Sequence, residues 1–242
     1  MKIDRAVTLV GGGRLGSGLS NAYDSNVYLL HDDEGCWLID TGSGLEQGKL
    51  IDRIRAAASG MPIKGALLTH AHADHAGGAA GIAELGIAVQ AGPRTCELVR
   101  TPDHDALGLT SAIRAGTYPS DFTFPSCPAT AIDGPAIPGA PDALIAVATP
   151  GHSSDHTSYL YAYGSRTYAF TGDLVFSRGR VAVLGTHDTD VASLHASLQR
   201  LHELSPDVLL PGHGSPVLSD ARWHLAQALR EFDLGRLPPN LV

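Results

Sequence analysis

Three histidines and one aspartate fall within the six positions His70-Ala71-His72-Ala73-Asp74-His75, and Ala76-Gly77-Gly78 follows directly. Neutral imidazole and carboxylate are the side chains that bind a borderline metal ion such as Zn²⁺. The apolar run Ala66-Leu67-Leu68 comes just before. His70 and His72 therefore sit at a strand end, where residues two apart point to the same side. Asp74 and His75 follow where the chain must turn, because the two glycines and the alanines open a new segment. Two closely spaced ligand pairs exceed the needs of a single tetrahedral ion, and they predict two neighbouring metals. A histidine-rich surface loop is the bland alternative, and the packing of four such side chains into one turn argues against it.

Three further residues repeat that local context of apolar strand, tight glycine-containing turn, then ligand. They are His152 after residues 143–148, Asp173 after 168–170 and His213 after 208–210. Ligands carried on short turns at strand ends bring several side chains to one edge of a sheet, held by a rigid scaffold.

The elements that must position these residues can be read in order. Residues 7–10 predict a strand and the glycine-rich stretch 11–18 a loop, since it lacks the Gly-Lys-Ser/Thr ending of a phosphate-binding loop. Residues 26–30 and 36–39 are apolar runs around the turn His31-Asp-Asp-Glu-Gly35, a hairpin signal. Leu50, Ile51, Ile54 and Ala58 keep helical spacing, closed by Gly60 and Pro62. A strand over 64–69, a short helix over 79–85, a strand over 87–90 and a Pro-started helix over 93–100 follow. Periodicity fades over 101–141, and 101–124 reads as a connection with some helix that shapes a substrate pocket. Strands at 143–148, 157–163 and 167–170 lead to an amphipathic helix through Val191, Leu194, Leu198, Leu201 and Leu204. A strand over 207–210, a last helix through Leu225, Leu229 and Phe232, and a proline-containing tail complete the chain. Two mixed sheets stacked face to face with helices outside accommodate this as one layered domain over residues 1–242.

Composition sets limits on function. The 242 residues are 43% hydrophobic and 17% charged, ordinary for a soluble globular protein. A formal net charge of -8 without like-charge runs argues against a non-specific nucleic-acid binder. No stretch approaches the roughly 18–20 apolar residues that span a bilayer, and residues 1–10 lack a secretory h-region. Cys36, Cys96 and Cys127 are odd in number and in no metal-binding spacing, which reads as reduced thiols of a cytoplasmic protein.

The chain resembles the metallo-β-lactamase superfamily. The resemblance rests on HxHxDH at His70, His72, Asp74 and His75, and on Gly151-His152-Ser153, Thr171-Gly172-Asp173, Pro211-Gly212-His213-Gly214 and the Leu-Ile-Asp-Thr-Gly element at 38–42. It implies an α/β fold, the αββα four-layer sandwich, with a dinuclear metal site at the sheet edge. By motif match, His70, His72 and His152 would hold the first metal, Asp74, His75 and His213 the second, and Asp173 would bridge them. Asp40 matches a position that supports the ligands, a carboxylate hydrogen-bonded to a ligating imidazole. A bridging Asp173 resembles the glyoxalase II-type thioesterases and the N-acyl homoserine lactone lactonases, whereas true β-lactamases usually place Cys or Ser there. His72 stands where flavodiiron oxidoreductases typically carry Glu. The sequence 176–180 departs from the glyoxalase II pattern, and no extended glutathione-binding region is evident.

The expected function is thus a cytoplasmic hydrolase with two Zn²⁺ per chain, or with iron or manganese in their place. A metal-bridging hydroxide would attack a small ester, lactone or thioester. Asp74 would hold the second metal and orient the hydroxide or relay its proton to the leaving group. The alternative is a mononuclear iron dioxygenase resembling persulfide dioxygenases, with His70, His152 and Asp173 as its triad. Arg178, Arg180 and His187 lie after Asp173 and are candidates for substrate contact, and Tyr23, Tyr118 and Phe122 fall in irregular segments flanking the site. Ser153, Ser154, Asp155 and His156 are too crowded on one turn for a serine triad, and His156 reads as either a support for the ligands or a strand-start packing residue. His195, His202 and His224 lie on predicted helices and are read as non-ligands. A small-molecule substrate is the expected partner.

Overall fold

A computed structural model describes residues 1–241, which divide into two compact units, 1–131 and 132–241. The first unit is a six-stranded mixed sheet in the order β1-β2-β3-β4-β5-β6. Strands β1 (Val7–Gly11), β2 (Val27–His31) and β3 (Cys36–Ile39) form an antiparallel meander. Strands β4 (Ile63–Leu68), β5 (Val89–Ala91) and β6 (Thr130–Ala131) then add in parallel, each reached by a helical crossover as parallel pairing requires.

The crossover from β3 to β4 is α1 (Gly48–Ala58), whose Leu50, Ile54 and Ala58 recur at four-residue spacing and are its buried face. They join Val10, Val27, Leu29, Leu38 and Leu68 in one core. Ser59 in left-handed conformation and Gly60 at φ +85° stop the helix. Helices α2 (Ala73–Ala76) and α3 (Ala79–Glu84) lead to β5, and α4 (Pro93–Arg100) and α5 (Leu109–Arg114) lead towards β6. The irregular 101–124 stretch therefore does contain a helix.

The second unit is a four-stranded mixed sheet, β10-β9-β8-β7. Strands β7 (Leu144–Ala148), β8 (Thr157–Tyr163) and β9 (Arg166–Gly172) are antiparallel, and β10 (Val208–Pro211) adds in parallel after α6 (Val191–Glu203). The Asp190 carboxylate caps α6 by accepting the Ser193 N–H at 2.6 Å. Leu194, Leu198 and Leu201 of α6 pack with Leu209 and with Leu225 of α7 (Ala221–Asp233). Residue Asn240 pairs with Val181 as an isolated parallel bridge. Among the described residues, no helix is long and apolar enough to cross a membrane.

Candidate metal centre

In the first unit the ligand turn begins one residue beyond β4. Its support comes from Asp40 at the end of β3, a buried residue in the left-handed region at φ +60°. Aspartate is among the few residues that enter that region readily, and here it places the carboxylate against the neighbouring strand end. The Asp40 Oδ1 accepts the Thr69 N–H at 2.8 Å, and Oδ2 accepts from His75 Nδ1 at 2.8 Å. The Thr69 hydroxyl lies 3.0 Å from Asp40 Oδ2 and 3.0 Å from His70 Nδ1. A hydroxyl carries one proton, so it donates to the carboxylate and accepts from the imidazole. Both buried rings thus have Nδ1 engaged, which directs their Nε2 lone pairs away from this network.

The ligand atoms converge accordingly. His70 Nε2 and His72 Nδ1 lie 3.0 Å apart, and His75 Nε2 lies 3.5 Å from Asp74 Oδ2. The sequence predicts a turn here, and the chain winds it as the single helical turn α2, with His75 and Ala76 N–H both donating to the His72 carbonyl. Thr41 closes on it from β3, its N–H and its hydroxyl donating to the His75 carbonyl at 2.8 and 2.9 Å. Gly77 and Gly78 have to be glycines for this docking, because a Cβ would meet the Ser43 carbonyl at 2.3 Å or the Thr41 carbonyl at 2.2 Å. The Ser25 N–H donates to the Asp74 carbonyl at 3.0 Å.

In the second unit three turns carry the other candidates. His152 follows Gly151, whose φ is +145° and whose missing side chain admits the α6 backbone: a Cβ would lie 2.3 Å from Leu194 Cα. The His152 Nδ1–H donates to the Ala182 carbonyl at 2.8 Å, so Nε2 carries the lone pair. Asp173 follows β9, and its N–H donates to His156 Nε2 at 3.2 Å. His213 follows β10. One oxygen, Asp173 Oδ2, lies 3.7 Å from His152 Nε2 and 3.4 Å from His213 Nε2.

These separations test whether a metal fits. The three imidazole–carboxylate distances of 3.4, 3.5 and 3.7 Å exceed hydrogen-bond range. They match instead the edge of about 3.3 Å between two ligands of a tetrahedral ion with bonds near 2.0–2.1 Å. A nitrogen lone pair turned towards a carboxylate oxygen repels it unless a cation lies between. Imidazoles and carboxylates gathered in this way fit divalent metal ions. The far nitrogens of His70 and His75 are anchored by Thr69 and Asp40 in the first unit, and that of His152 by the Ala182 carbonyl in the second.

Several contributors were not legible beforehand. Thr69, Thr41 and the Ala182 carbonyl act through hydroxyl and backbone groups that no spacing rule flags. His156 supports Asp173, and its Nδ1 pairs with Thr149 Oγ1 at 2.9 Å. Ser153 donates to Asp155 Oδ1 at 2.7 Å rather than to an imidazole, which leaves no serine triad on that turn. His195 of α6 stacks on Phe232 with ring centroids 4.5 Å apart, and His224 of α7 accepts the Arg178 N–H at 2.6 Å.

Arg178, Arg180 and His187 are all exposed. Arg178 lies in a 3-10 turn (Ser177–Gly179) packed on α7, and His187 lies in a loop whose Thr189 hydroxyl donates to the His152 carbonyl at 2.9 Å. In the first unit the rings of Tyr23 and Tyr118 lie 5.2 Å apart and those of Tyr118 and Phe122 5.0 Å apart. Burial, and then the charges of Asp74 and Asp24, push the Tyr118 phenol up, so it stays a hydrogen-bond donor at neutral pH. The three cysteines are free and buried.

A family model described as the metallo-beta-lactamase superfamily matches residues 21–213, a span that takes in all seven candidate ligands. A hydroxyacylglutathione hydrolase of Methylobacillus flagellatus is 29% identical over 181 residues, 75% of this chain and 58% of that one. An atrochrysone carboxyl ACP thioesterase of Aspergillus fumigatus is 25% identical over 88% of this chain and 57% of its own length. The chain thus spans a little over half the length of these curated relatives. Among solved structures, TTHA1623 in a di-iron-bound form is 28% identical, with a TM-score of 0.64 over 82% of this chain and 92% of that one. The metallo-β-lactamase SMB-1 is 22% identical, with a TM-score of 0.66 over 96% of both chains. The likeness gives the fold: mixed α/β, two sheets flanked by helices, that of the four-layer sandwich.

Proposed function

The chain belongs to the metallo-β-lactamase superfamily, and from that premise we propose that it is a metal-dependent hydrolase working as one domain over residues 1–242. In this reading, which follows the motif match, the quartet His70, His72, Asp74 and His75 and the trio His152, Asp173 and His213 would together supply one two-metal centre. His70, His72 and His152 would hold one ion, Asp74, His75 and His213 the other, and Asp173 would be shared. The observation that carries the proposal is Asp173 Oδ2, one carboxylate oxygen facing the Nε2 atoms of two histidines at 3.7 and 3.4 Å.

Two Zn²⁺ held there would supply a water acidic enough to ionise near neutral pH and a Lewis acid for a carbonyl oxygen. The chain's own groups do the rest. Asp74, whose carbonyl accepts the Ser25 N–H and whose carboxylate is 23% exposed, would orient the attacking water and pass its proton to the leaving group. Asp40 and Thr69 keep the ligand rings in one tautomer. We assign Arg178, Arg180 and His187 to substrate contact.

The substrate class is a small ester, lactone or thioester. The thioesterase and acylglutathione hydrolase names of the curated relatives favour the thioester. A net charge of -8 suits a small molecule rather than nucleic acid. Three free buried thiols go with a cytoplasmic setting. The test is metal content of the purified protein, followed by thioester and lactone hydrolysis with and without chelator. About two zinc ions per chain and chelator-sensitive hydrolysis are expected. About one iron per chain, with oxygen consumed on persulfide substrates, would overturn the reading.

A further inference from the structure

The Ala182 carbonyl that orients His152 belongs to the short extended segment Val181-Ala182-Val183 between the 3-10 turn and the 184–190 loop. In extended backbone, successive carbonyls point to opposite sides. Here the Ala182 carbonyl turns to His152, while the polar groups of both neighbours turn the other way, to residues 239–241. The Val181 N–H donates to the Pro239 carbonyl at 3.1 Å, and the Leu241 N–H donates to the Val181 carbonyl at 2.8 Å. The Asn240 side chain takes both groups of Val183: its Oδ1 accepts the Val183 N–H at 3.0 Å and its Nδ2 donates to the Val183 carbonyl at 3.0 Å.

A carboxamide is the one short side chain with a donor and an acceptor side by side, matching the N–H and C=O of a single residue. Asn240 therefore completes a strand-like clamp on 181–183 that aliphatic or purely accepting side chains would leave open. Val181 and Ala182 are buried and Asn240 is exposed, so the clamp fixes a buried carbonyl from the surface.

We propose that Asn240 is a positioning residue for the metal ligand His152, acting through the Ala182 carbonyl. The inference rests on the metal assignment made above. By holding Ala182 in register, Asn240 keeps the proton on His152 Nδ1 and the Nε2 lone pair aimed at the metal that His152 shares with His70 and His72. Losing the clamp lets the carbonyl drift, and the ring loses both its orientation and its tautomer.

The experiment compares the full chain with N240A by zinc titration under chelator competition, resolving the two binding steps, and by long-range proton–nitrogen spectra of the His152 ring in the metal-free protein. In N240A one zinc step is expected to weaken by about tenfold or more while the other stays within about twofold. The Nδ1–H signature of His152, fixed in the wild type, is expected to give way to a mixture of tautomers. Both zinc steps unchanged, or both weakened equally with the His152 tautomer retained, would overturn the inference and leave the metal assignment standing. A wild-type chain that takes up no zinc, iron or manganese overturns the metal assignment and this inference with it. If N240A does not fold, N240D is read by the same outcomes, since it keeps the acceptor for Val183 N–H and replaces the donor with a carboxylate oxygen that the Val183 carbonyl repels.

Discussion

Asp40 Oδ2 and His75 Nδ1 meet at 2.8 Å across 35 positions of sequence. The same carboxylate takes the Thr69 N–H and hydroxyl, and through that hydroxyl it reaches His70. One buried side chain thereby sets two ligand rings. Asp40→Asn keeps the shape but turns one acceptor into a donor, which must face either the Thr69 N–H or the His75 Nδ1–H. Metal affinity is expected to fall about 10- to 100-fold, measured by chelator competition, with a lower melting temperature by circular dichroism. Native affinity in the D40N protein would show that the ligand rings need no such anchor.

Asp173 is the carboxylate that faces two histidines, so its removal should act on metal stoichiometry before anything else. Asp173→Ala is expected to lower bound metal to about one ion per chain or fewer and to cut hydrolysis by roughly 100-fold or more. Elemental analysis reads the first and steady-state kinetics the second. Two ions retained at full occupancy would remove Asp173 from the shared position.

Gly151 separates a packing effect from a backbone effect. Gly151→Ala adds a Cβ 2.3 Å from Leu194 Cα and 2.4 Å from Leu194 N, backbone atoms of α6 that have no rotamer to yield. The expected loss is about 2–4 kcal/mol in urea unfolding. Gly164→Ala, at φ +61° with nothing within 4 Å, carries the conformational cost alone, about 1 kcal/mol. Equal losses would contradict the contact.

His224 gives the fold an acid-side sensitivity. Burial, opposed by the Asp220 charge and helped by Arg178, holds its pKa below the ordinary value. The folded protein then binds fewer protons than the unfolded chain between that lowered pKa and about 6.5. Its contribution to stability is full above about pH 6.5 and is lost as pH falls towards the folded pKa. Protonation also turns the acceptor for the Arg178 N–H into a donor. His224→Gln keeps an acceptor and does not titrate. Melting of the metal-free protein from about pH 7.5 to 5.5 should therefore decline less steeply in the H224Q variant. His31, whose pKa burial also lowers, leaves a residual slope of the same sign. Parallel declines in the two proteins would rule out His224 as the source.

The strands were legible because apolar runs such as Cys36–Ile39 and Thr157–Tyr163 are bounded by turn residues, and their limits agree with the observed ones. The Pro-started helix Pro93–Arg100 was equally plain. Strand β6 was not, because the two residues Thr130–Ala131 carry no period and are a strand only through pairing with β5. Helix α5 lies among glycines and polar residues that dilute its apolar spacing. Of the site, the imidazoles and carboxylates announced themselves by type and repetition. Their anchors did not, since Ala182 acts by a carbonyl common to every residue and Thr69 by a hydroxyl found throughout the chain. The sequence leaves His156 between two roles, and the Asp173 N–H that its ring accepts makes it a support for a ligand.

The ligand turn of the first unit is braced on three sides by Thr41, Ser25 and the paired glycines against 41–43, all of them contacts between protein groups. The quartet is therefore a receptor shaped before its guest arrives. Bracing of this kind takes up chain freedom during folding, so metal uptake there is expected to be quick, show little ordering entropy, and leave the amide-exchange pattern of residues 70–78 nearly unchanged.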